Sequence, residues 1–96
     1  MDELRAWTLL TQGALLQAEG RFQEALNCSE FVLSTNPNSA MGWYNKGAVL
    51  SNLRRFEEAS MCYDHALEFD PHRINTLNNK GNLLLAMGRA GGSALL

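Results

Sequence analysis

Clusters of like charge are missing from this 96-residue sequence, whose formal charge is −2 at pH 7. A surface that binds phosphate groups needs clustered Lys and Arg, so we expect no nucleic-acid partner. The longest apolar runs, such as Leu83 to Met87, are far too short to span a bilayer, and no membrane association is expected. The first residues also lack the basic and apolar segments of a secretory signal, which predicts a cytoplasmic protein.

Cysteine is scarce as well, since Cys28 and Cys62 are the only two. Two widely spaced cysteines form neither a metal site nor a redox motif. His65 and His72 belong to no acid–nucleophile constellation that the predicted fold would obviously assemble, and the sequence contains no phosphate-binding loop and no paired carboxylate site. These absences predict a protein that is not an enzyme and that uses no metal and no cofactor.

Several residue types recur at one fixed spacing. Gly13, Gly47 and Gly81 are evenly spaced along the chain. The same spacing relates Arg21, Arg55 and Arg89; Leu16, Leu50 and Leu84; Phe22 and Phe56; Ala25 and Ala59; and Pro37 and Pro71. Self-similarity at a fixed period of about 34 residues is the signature of a repeat architecture.

Each period contains two helical patterns separated by turns. Trp43, Gly47 and Leu50 fall at i, i+4 and i+7, which is one face of a helix. A second helical stripe runs from Phe56 to Leu67, and Asp70-Pro71 ends it. The pattern predicts five helices, at about 3–18, 22–34, 39–52, 56–68 and 73–88. The recurrent glycines indicate that paired helices pack closely there, because glycine inside a helix otherwise costs about 1 kcal/mol.

The pattern resembles the tetratricopeptide repeat, whose signature is Trp-x2-Leu-Gly-x2-Tyr, then Ala-x3-Phe, then Ala and Pro. The second unit matches it with Trp43, Lys46, Gly47, Leu50, Ala59, Tyr63, Ala66 and Pro71, departing mildly at Lys46 and Leu50. The first unit is looser, with Leu9, Gln12, Gly13, Leu16, Ala25, Ser29, Val32 and Pro37. Pentatricopeptide RNA readers use a similar helix pair, but the near-neutral charge favours the peptide-binding family.

The resemblance implies an all-α solenoid of antiparallel helix pairs stacked in a right-handed superhelix. Residues 1–89 are expected to form the repeat domain, with repeats at about 6–39 and 40–73 and a half repeat at 74–89. Residues 90–96 are expected to form a flexible tail. The family's role implies a non-enzymatic scaffold or adaptor that binds an extended peptide segment on its concave face.

The predicted concave stripe lies on the side of each first helix away from the glycine. Its candidate peptide-binding residues are Trp7, Leu10, Thr11, Met41, Tyr44, Asn45, Asn75, Asn78, Asn79 and Asn82. Small or polar residues on the same stripe are Ala14, Ala18, Ala48, Asn52 and Ala86. An asparagine side chain has a donor and an acceptor, so it is suited to pair with a peptide backbone. Two alternatives remain open: the asparagines are solvated surface, and Trp7 and Leu10 pack against a neighbouring helix.

One subclass of the family binds the C-terminal carboxylate of chaperones through two lysines, two asparagines and an arginine. By register these positions correspond here to Leu10, Ala14, Asn45, Asn75 and Asn79, and only Asn45 agrees. All the cationic positions are lost, so we expect that the partner is not a chaperone carboxylate.

An alternative function is self-association. The last predicted helix has no following partner yet carries Leu77, Leu83, Leu84, Leu85 and Met87. An apolar face left exposed at the end of an array would form a homodimer, through this helix or by exchange of a hairpin. Cys28 and Cys62 occupy equivalent positions in neighbouring hairpins, about 8–10 Å apart, so no disulfide is expected between them.

Overall fold

A computed structural model describes residues 2–90 of the chain. These residues form five helices and no strand: α1 (Asp2–Ala18), α2 (Phe22–Thr35), α3 (Ala40–Asn52), α4 (Phe56–Phe69) and α5 (Ile74–Ala90). Every helix begins and ends within two residues of its predicted bounds, so the predicted five-helix, all-α fold is confirmed. Apart from Ala90, the last residue of α5, the predicted tail lies outside the described residues.

The helices stack along one direction. Each packs against the next in the chain, and α3 also contacts α1 and α5. The molecule is accordingly elongated, about 50 × 28 × 19 Å. Because α1, α3 and α5 are the first helices of successive repeats, they lie side by side on one surface of the stack. Within residues 2–90, no helix combines the length and the apolarity needed to cross a membrane.

Hydrogen bonds at the turn between the two repeats set the start of α3. The Ser39 Oγ accepts from the Gly42 N–H at 3.0 Å, so Ser39 is the N-cap of α3. The indole N–H of Trp43 donates to the Pro37 carbonyl at 2.7 Å and fixes that side chain against the turn. The preceding helix ends at Thr35, just before the Asn36-Pro37 pair that the sequence places outside the helix.

The tight turns inside the two hairpins are built alike. Gly20 follows α1 with φ of 78°, and Arg54, its equivalent in the next repeat, has φ of 63°. In both turns the next residue donates its N–H back to the last helical turn, from Arg21 to Leu16 at 2.8 Å and from Arg55 to Leu50 at 2.9 Å. Glycine adopts this left-handed conformation without steric cost, whereas a side chain such as that of Arg54 is strained there.

The three recurrent glycines have different surroundings. A Cβ atom on Gly47 would lie 2.7 Å from Cε1 of Tyr63, so the missing side chain lets the tyrosine ring lie against α3. At Gly13 the nearest atom is Cβ of Cys28 at 3.6 Å, which is ordinary contact. At Gly81 no atom of the part of the chain that the structure describes lies within 4 Å of the added Cβ. The predicted close approach is therefore confirmed at Gly47 and wrong at Gly81, because no described helix follows α5.

The core is centred on the second hairpin. Ala59 and Ala66 are fully buried, and Tyr63 is 2% exposed. The central cluster contains Ala59 and Tyr63 together with Leu16, Ala25, Leu26, Val49, Leu50, Cys62 and Leu83. Both cysteines are free thiols in the structure, Cys28 half-buried and Cys62 buried.

Of the five residues predicted to take part in self-association, the structure buries some and leaves others exposed. Leu83 is 2% exposed and belongs to the core, and Met87 is half-buried against that core. Both assignments to an exposed face were wrong, because these two residues lie on the side of α5 that packs against the preceding hairpin. Leu77, Leu84 and Leu85 are exposed as expected, with 48%, 51% and 60% of their surfaces accessible.

Candidate functional site

A groove of about 450 Å³ crosses the surface formed by the three first helices. Its lining comes from α1, α3 and α5, with one side chain contributed by α4: Ala14, Gln17, Tyr44, Asn45, Ala48, Ser51, Asn52, Tyr63, Asn79, Asn82 and Leu83. None of these eleven described residues carries a charge at neutral pH. The groove therefore offers amide and hydroxyl groups between small apolar ones, without an ionic anchor.

Asparagine amides join successive first helices along this groove. Nδ2 of Asn45 donates to the Leu10 carbonyl at 3.3 Å, and Nδ2 of Asn79 donates to the Tyr44 hydroxyl at 3.1 Å. A third bond runs from Nδ2 of Asn52 to Oε1 of Gln17 at 3.4 Å. Each bond spans 35 residues of sequence, one repeat plus one residue. The amides thus stabilise the stacking of neighbouring repeats as well as lining the groove.

These hydrogen bonds determine which donor and acceptor groups of the asparagine side chains remain available to a ligand. Asn45 is only 5% exposed, and one of its two amide N–H groups is engaged by the Leu10 carbonyl. One of the two N–H groups of Asn79 is engaged by the Tyr44 hydroxyl. The carbonyl oxygen of each amide receives no hydrogen bond from any described residue. Asn82 is exposed and makes no side-chain hydrogen bond to the described chain, so it keeps both its donor and its acceptor.

Two tyrosines contribute aromatic rings to the lining of the groove. Tyr63 reaches it from α4 by passing the side-chain-free backbone of Gly47. Its ring centroid lies 6.3 Å from that of Tyr44, at an interplanar angle of 42°. Burial raises the pKa of Tyr63 to about 12, so its hydroxyl stays protonated at physiological pH.

The structure brings only part of the predicted stripe together. Tyr44, Asn45, Asn79 and Asn82 line the groove. The other predicted residues lie outside it: Trp7, Leu10, Thr11, Met41, Asn75 and Asn78. Trp7 is 67% exposed, so it does not pack against a described neighbour. Leu10 contributes its backbone carbonyl to Asn45, while Thr11 bonds its own helix, donating to the Trp7 carbonyl at 3.0 Å.

One cation lies beside the groove without lining it. The Arg73 guanidinium is 5.9 Å from the centre of the Tyr44 ring and contacts the sulfur of Met41. It is also paired with the Asp70 carboxylate at 3.3 Å. Its charge is therefore already balanced within the chain. Arg73 was not among the predicted site residues, because it precedes α5 and lies in the turn before that helix.

Four lining residues were absent from the predicted stripe: Gln17, Ser51, Tyr63 and Leu83. Gln17 and Ser51 are related by the repeat period and lie one helical turn beyond Ala14 and Ala48, so the repeat itself carried a signal for them. Tyr63 could not be found by following first helices alone, because it belongs to a second helix and reaches the groove through the space above Gly47.

A smaller cavity of about 210 Å³ lies between α3 and α4, away from the groove. Trp43 and His65 stack across it with ring centroids 4.5 Å apart, and burial raises the pKa of the Cys62 thiol in its wall to about 11. The Lys46 ammonium, also in that wall, is paired with Glu30 at 3.6 Å. Across residues 2–90, no cluster of three or more His, Cys, Asp or Glu side chains is placed to hold a metal ion.

Comparison with known proteins gives a family and a fold. The tetratricopeptide repeat family matches residues 12–92. A matching solved structure is the first tetratricopeptide repeat of Spaghetti (RPAP3), bound to the HSP90 peptide SRMEEVD; it is 17% identical, covers 86% of this chain and 93% of its own, and has a TM-score of 0.50. At that identity the likeness shows the fold alone. No curated protein matches the sequence.

Proposed function

Because the chain belongs to the tetratricopeptide repeat family of protein-interaction scaffolds, we propose that its groove binds an extended, uncharged peptide segment of another protein. The observation that carries this proposal is the lining itself, in which amide and hydroxyl groups from three parallel-running helices surround small apolar residues with no charged side chain among them. Such a surface suits a ligand recognised mainly through its backbone.

The length of the groove sets the length of the segment. Neighbouring helices pack about 8–10 Å apart, so two steps from α1 to α5 cover roughly 18 Å. An extended chain rises about 3.3 Å per residue, so five or six residues span this distance. A bound segment of that size would contact Gln17 at one end and Asn82 at the other.

The hydrogen bonds already made by the asparagines indicate which of their groups would bind the peptide backbone. Asn45 and Asn79 each use one of their two amide N–H groups between helices, and the oxygens of both amides receive no hydrogen bond from a described residue. We expect the peptide to supply N–H groups to these two oxygens. Asn82, with both functions free, is suited to bind a peptide N–H and C=O together. Recognition of this kind reads the backbone and sets few requirements on side chains.

The absence of charged residues from the described lining disfavours charged peptides as partners. Desolvating a charged side chain without an opposite charge is costly. Arg73, the cation beside the groove, is already paired with Asp70. We therefore propose that the groove does not take an acidic chaperone tail. The peptide SRMEEVD and its C-terminally amidated form are expected to bind equally weakly in a fluorescence anisotropy titration. A clear loss of affinity on amidation would overturn this part of the proposal.

A matched pair of alanines on α1 tests the groove. Ala14 and Ala18 are both exposed, but only Ala14 lines the groove. Heptapeptides are first selected from a randomised phage library against the chain and then titrated in solution. Ala14→Phe fills the groove and should weaken the selected peptides at least tenfold, whereas Ala18→Phe should leave them unchanged. Equal affinity for both variants, or failure of the library to yield a binder, would refute groove binding.

A second pair tests the polar contact on α5. Asn82 lines the groove and Asn78 does not, although both are exposed asparagines of one helix. Asn82→Ala should weaken the selected peptides several-fold and Asn78→Ala should not. This pair of substitutions tests peptide binding more directly than Asn45→Ala would, because the Asn45 side chain also holds α3 to α1. The proposed role involves neither catalysis nor a cofactor, and a cytoplasmic location stays a prediction.

A further inference from the structure

The last helix carries an apolar face that no described residue covers. Ile74 and Leu77 are 69% and 48% exposed, and Leu84 and Leu85 are 51% and 60% exposed. Their spacing along the helix places them on one side of α5, together with Gly81. Isolated exposed leucines are ordinary on protein surfaces, but a continuous row of this length marks an interaction site.

The repeat register identifies this face as one built to receive a helix. Leu77, Gly81 and Leu84 stand one repeat after Trp43, Gly47 and Leu50, the residues by which α3 packs against α4. Tyr63 of α4 lies against Gly47, whereas no atom of the described residues lies within 4 Å of a Cβ at Gly81. The face of α5 thus has the chemistry of a helix-packing surface that no described helix covers.

The charge on this helix allows a second copy of the chain to approach. Between Ile74 and Gly88 the only charged side chain is Lys80. Its ammonium is already ion-paired with Asp64 of α4. Two such faces therefore meet without repulsion between like charges, and no charged group has to be buried between them.

The order of residues on the face is also self-complementary. Leu77 and Leu85 lie at equal distances on either side of Gly81, and so do Ile74 and Gly88 further out. If two α5 helices cross antiparallel at Gly81, Leu77 of each copy meets Leu85 of the other. The bulk of Ile74 then faces Gly88, where there is room for it. A two-fold axis through a glycine gives the same contacts to both copies.

We propose that this face is the contact of a homodimer in which the α5 helices of two copies pack antiparallel and cross at Gly81. Asn79 precedes Gly81 by two positions and so points about 200° around the helix axis from it. The groove on that side stays open in the dimer, and the contact does not depend on whether the groove binds a peptide.

Two leucines of nearly equal exposure test the proposal. Leu85 on α5 and Leu15 on α1 are 60% and 61% exposed. Sedimentation equilibrium across micromolar to millimolar concentration should show the mass rising from 10.6 kDa toward twice that value. Leu85→Glu should remain monomeric at every concentration, while Leu15→Glu should behave like the unsubstituted chain. Circular dichroism checks that both variants keep their helices. A monomeric unsubstituted chain, or equal effects of the two variants, would overturn the proposal.

A single introduced cysteine tests the two-fold axis. In the proposed dimer the two Gly81 positions face each other at the crossing point, so Gly81→Cys should give a covalent dimer under mild oxidation. The unsubstituted chain, treated identically, controls for Cys28 and Cys62 and should stay uncrosslinked. A Gly81→Cys chain that associates in sedimentation but does not crosslink would mean a head-to-tail contact or a different crossing point, and would contradict the antiparallel arrangement.

Discussion

The second hairpin and the last helix use the same sequence register in opposite surroundings. In α3, Gly47 is covered by the ring of Tyr63, and Leu50 is 1% exposed. In α5, a Cβ on Gly81 would have no neighbour within 4 Å among residues 2–90, and Leu84 is 51% exposed. The repeat thus encodes a packing face, and the environment of that face depends on whether a helix lies next to it. One motif serves as core in one repeat and as surface in the next.

The strongest test of this difference is Gly47→Ala. The added Cβ would lie 2.7 Å from the ring of Tyr63, which is 2% exposed and has little room to move. Overpacking of this kind should lower the free energy of unfolding by about 2 kcal/mol or more. Urea denaturation followed by circular dichroism measures the loss. An unchanged midpoint would mean that Tyr63 does not fill the space above Gly47.

Gly81→Ala is the matched substitution on α5 and should have the opposite sign. No atom opposes the new Cβ, and alanine favours a helix over glycine by about 1 kcal/mol. The free energy of unfolding should therefore rise by about that amount. The denaturation is run at low micromolar concentration, so that dimer formation does not contribute. Destabilisation by both substitutions would remove the contrast between the two helices.

A third substitution examines the buried side of α5. Thr76 is fully buried, and its hydroxyl has no hydrogen-bond partner among the described residues. The equivalent residue one repeat earlier is Gly42, so α3 has no side chain at the position where α5 buries a hydroxyl. Thr76→Val removes the unpaired hydroxyl at nearly constant volume and should stabilise the fold by up to about 1 kcal/mol. A clear decrease in the thermal midpoint would show that the hydroxyl has a partner after all.

The smallest expected effect concerns the two equivalent thiols, and it involves no change in stability. Cys62 is buried, and burial raises its pKa to about 11, whereas Cys28 is half-buried at the same register. Because the thiolate is the reactive form, a disulfide reagent at pH 8 should modify Cys28 faster than Cys62 in the folded chain. In denaturant the two rates should converge. Equal rates in the folded state would contradict the burial of Cys62.

Much of the fold follows from the sequence, because the repeat period carries both the helical faces and the turn residues. Pro37 and Pro71 mark the ends of the hairpins, and the five helices follow with small errors at their ends. The environment of α5 could not be read in the same way. Gly81 repeats Gly47 in sequence, but close packing also requires the tyrosine of a following helix.

The candidate site was only partly predictable, since a stripe on a helix does not give the contacts across helices. Asn45 was placed correctly on the groove, yet its burial and its bond to Leu10 depend on the spacing of α1 and α3. Tyr63 reaches the groove from the other helix of the pair. The register favoured Trp7 as an apolar anchor, but it lies outside the groove on the exposed part of α1.

The central claim is that the uncharged groove binds peptide and that the apolar face of α5 does not. Titration of the isotopically labelled chain with a library-selected heptapeptide, followed by two-dimensional NMR at low protein concentration, distinguishes the two surfaces directly. We expect chemical-shift changes at Ala14 and Ala48 and at the side-chain amide of Asn82, with the resonances of Ile74 and Leu85 unchanged. Shifts confined to Ile74, Leu77 and Leu85 would contradict it.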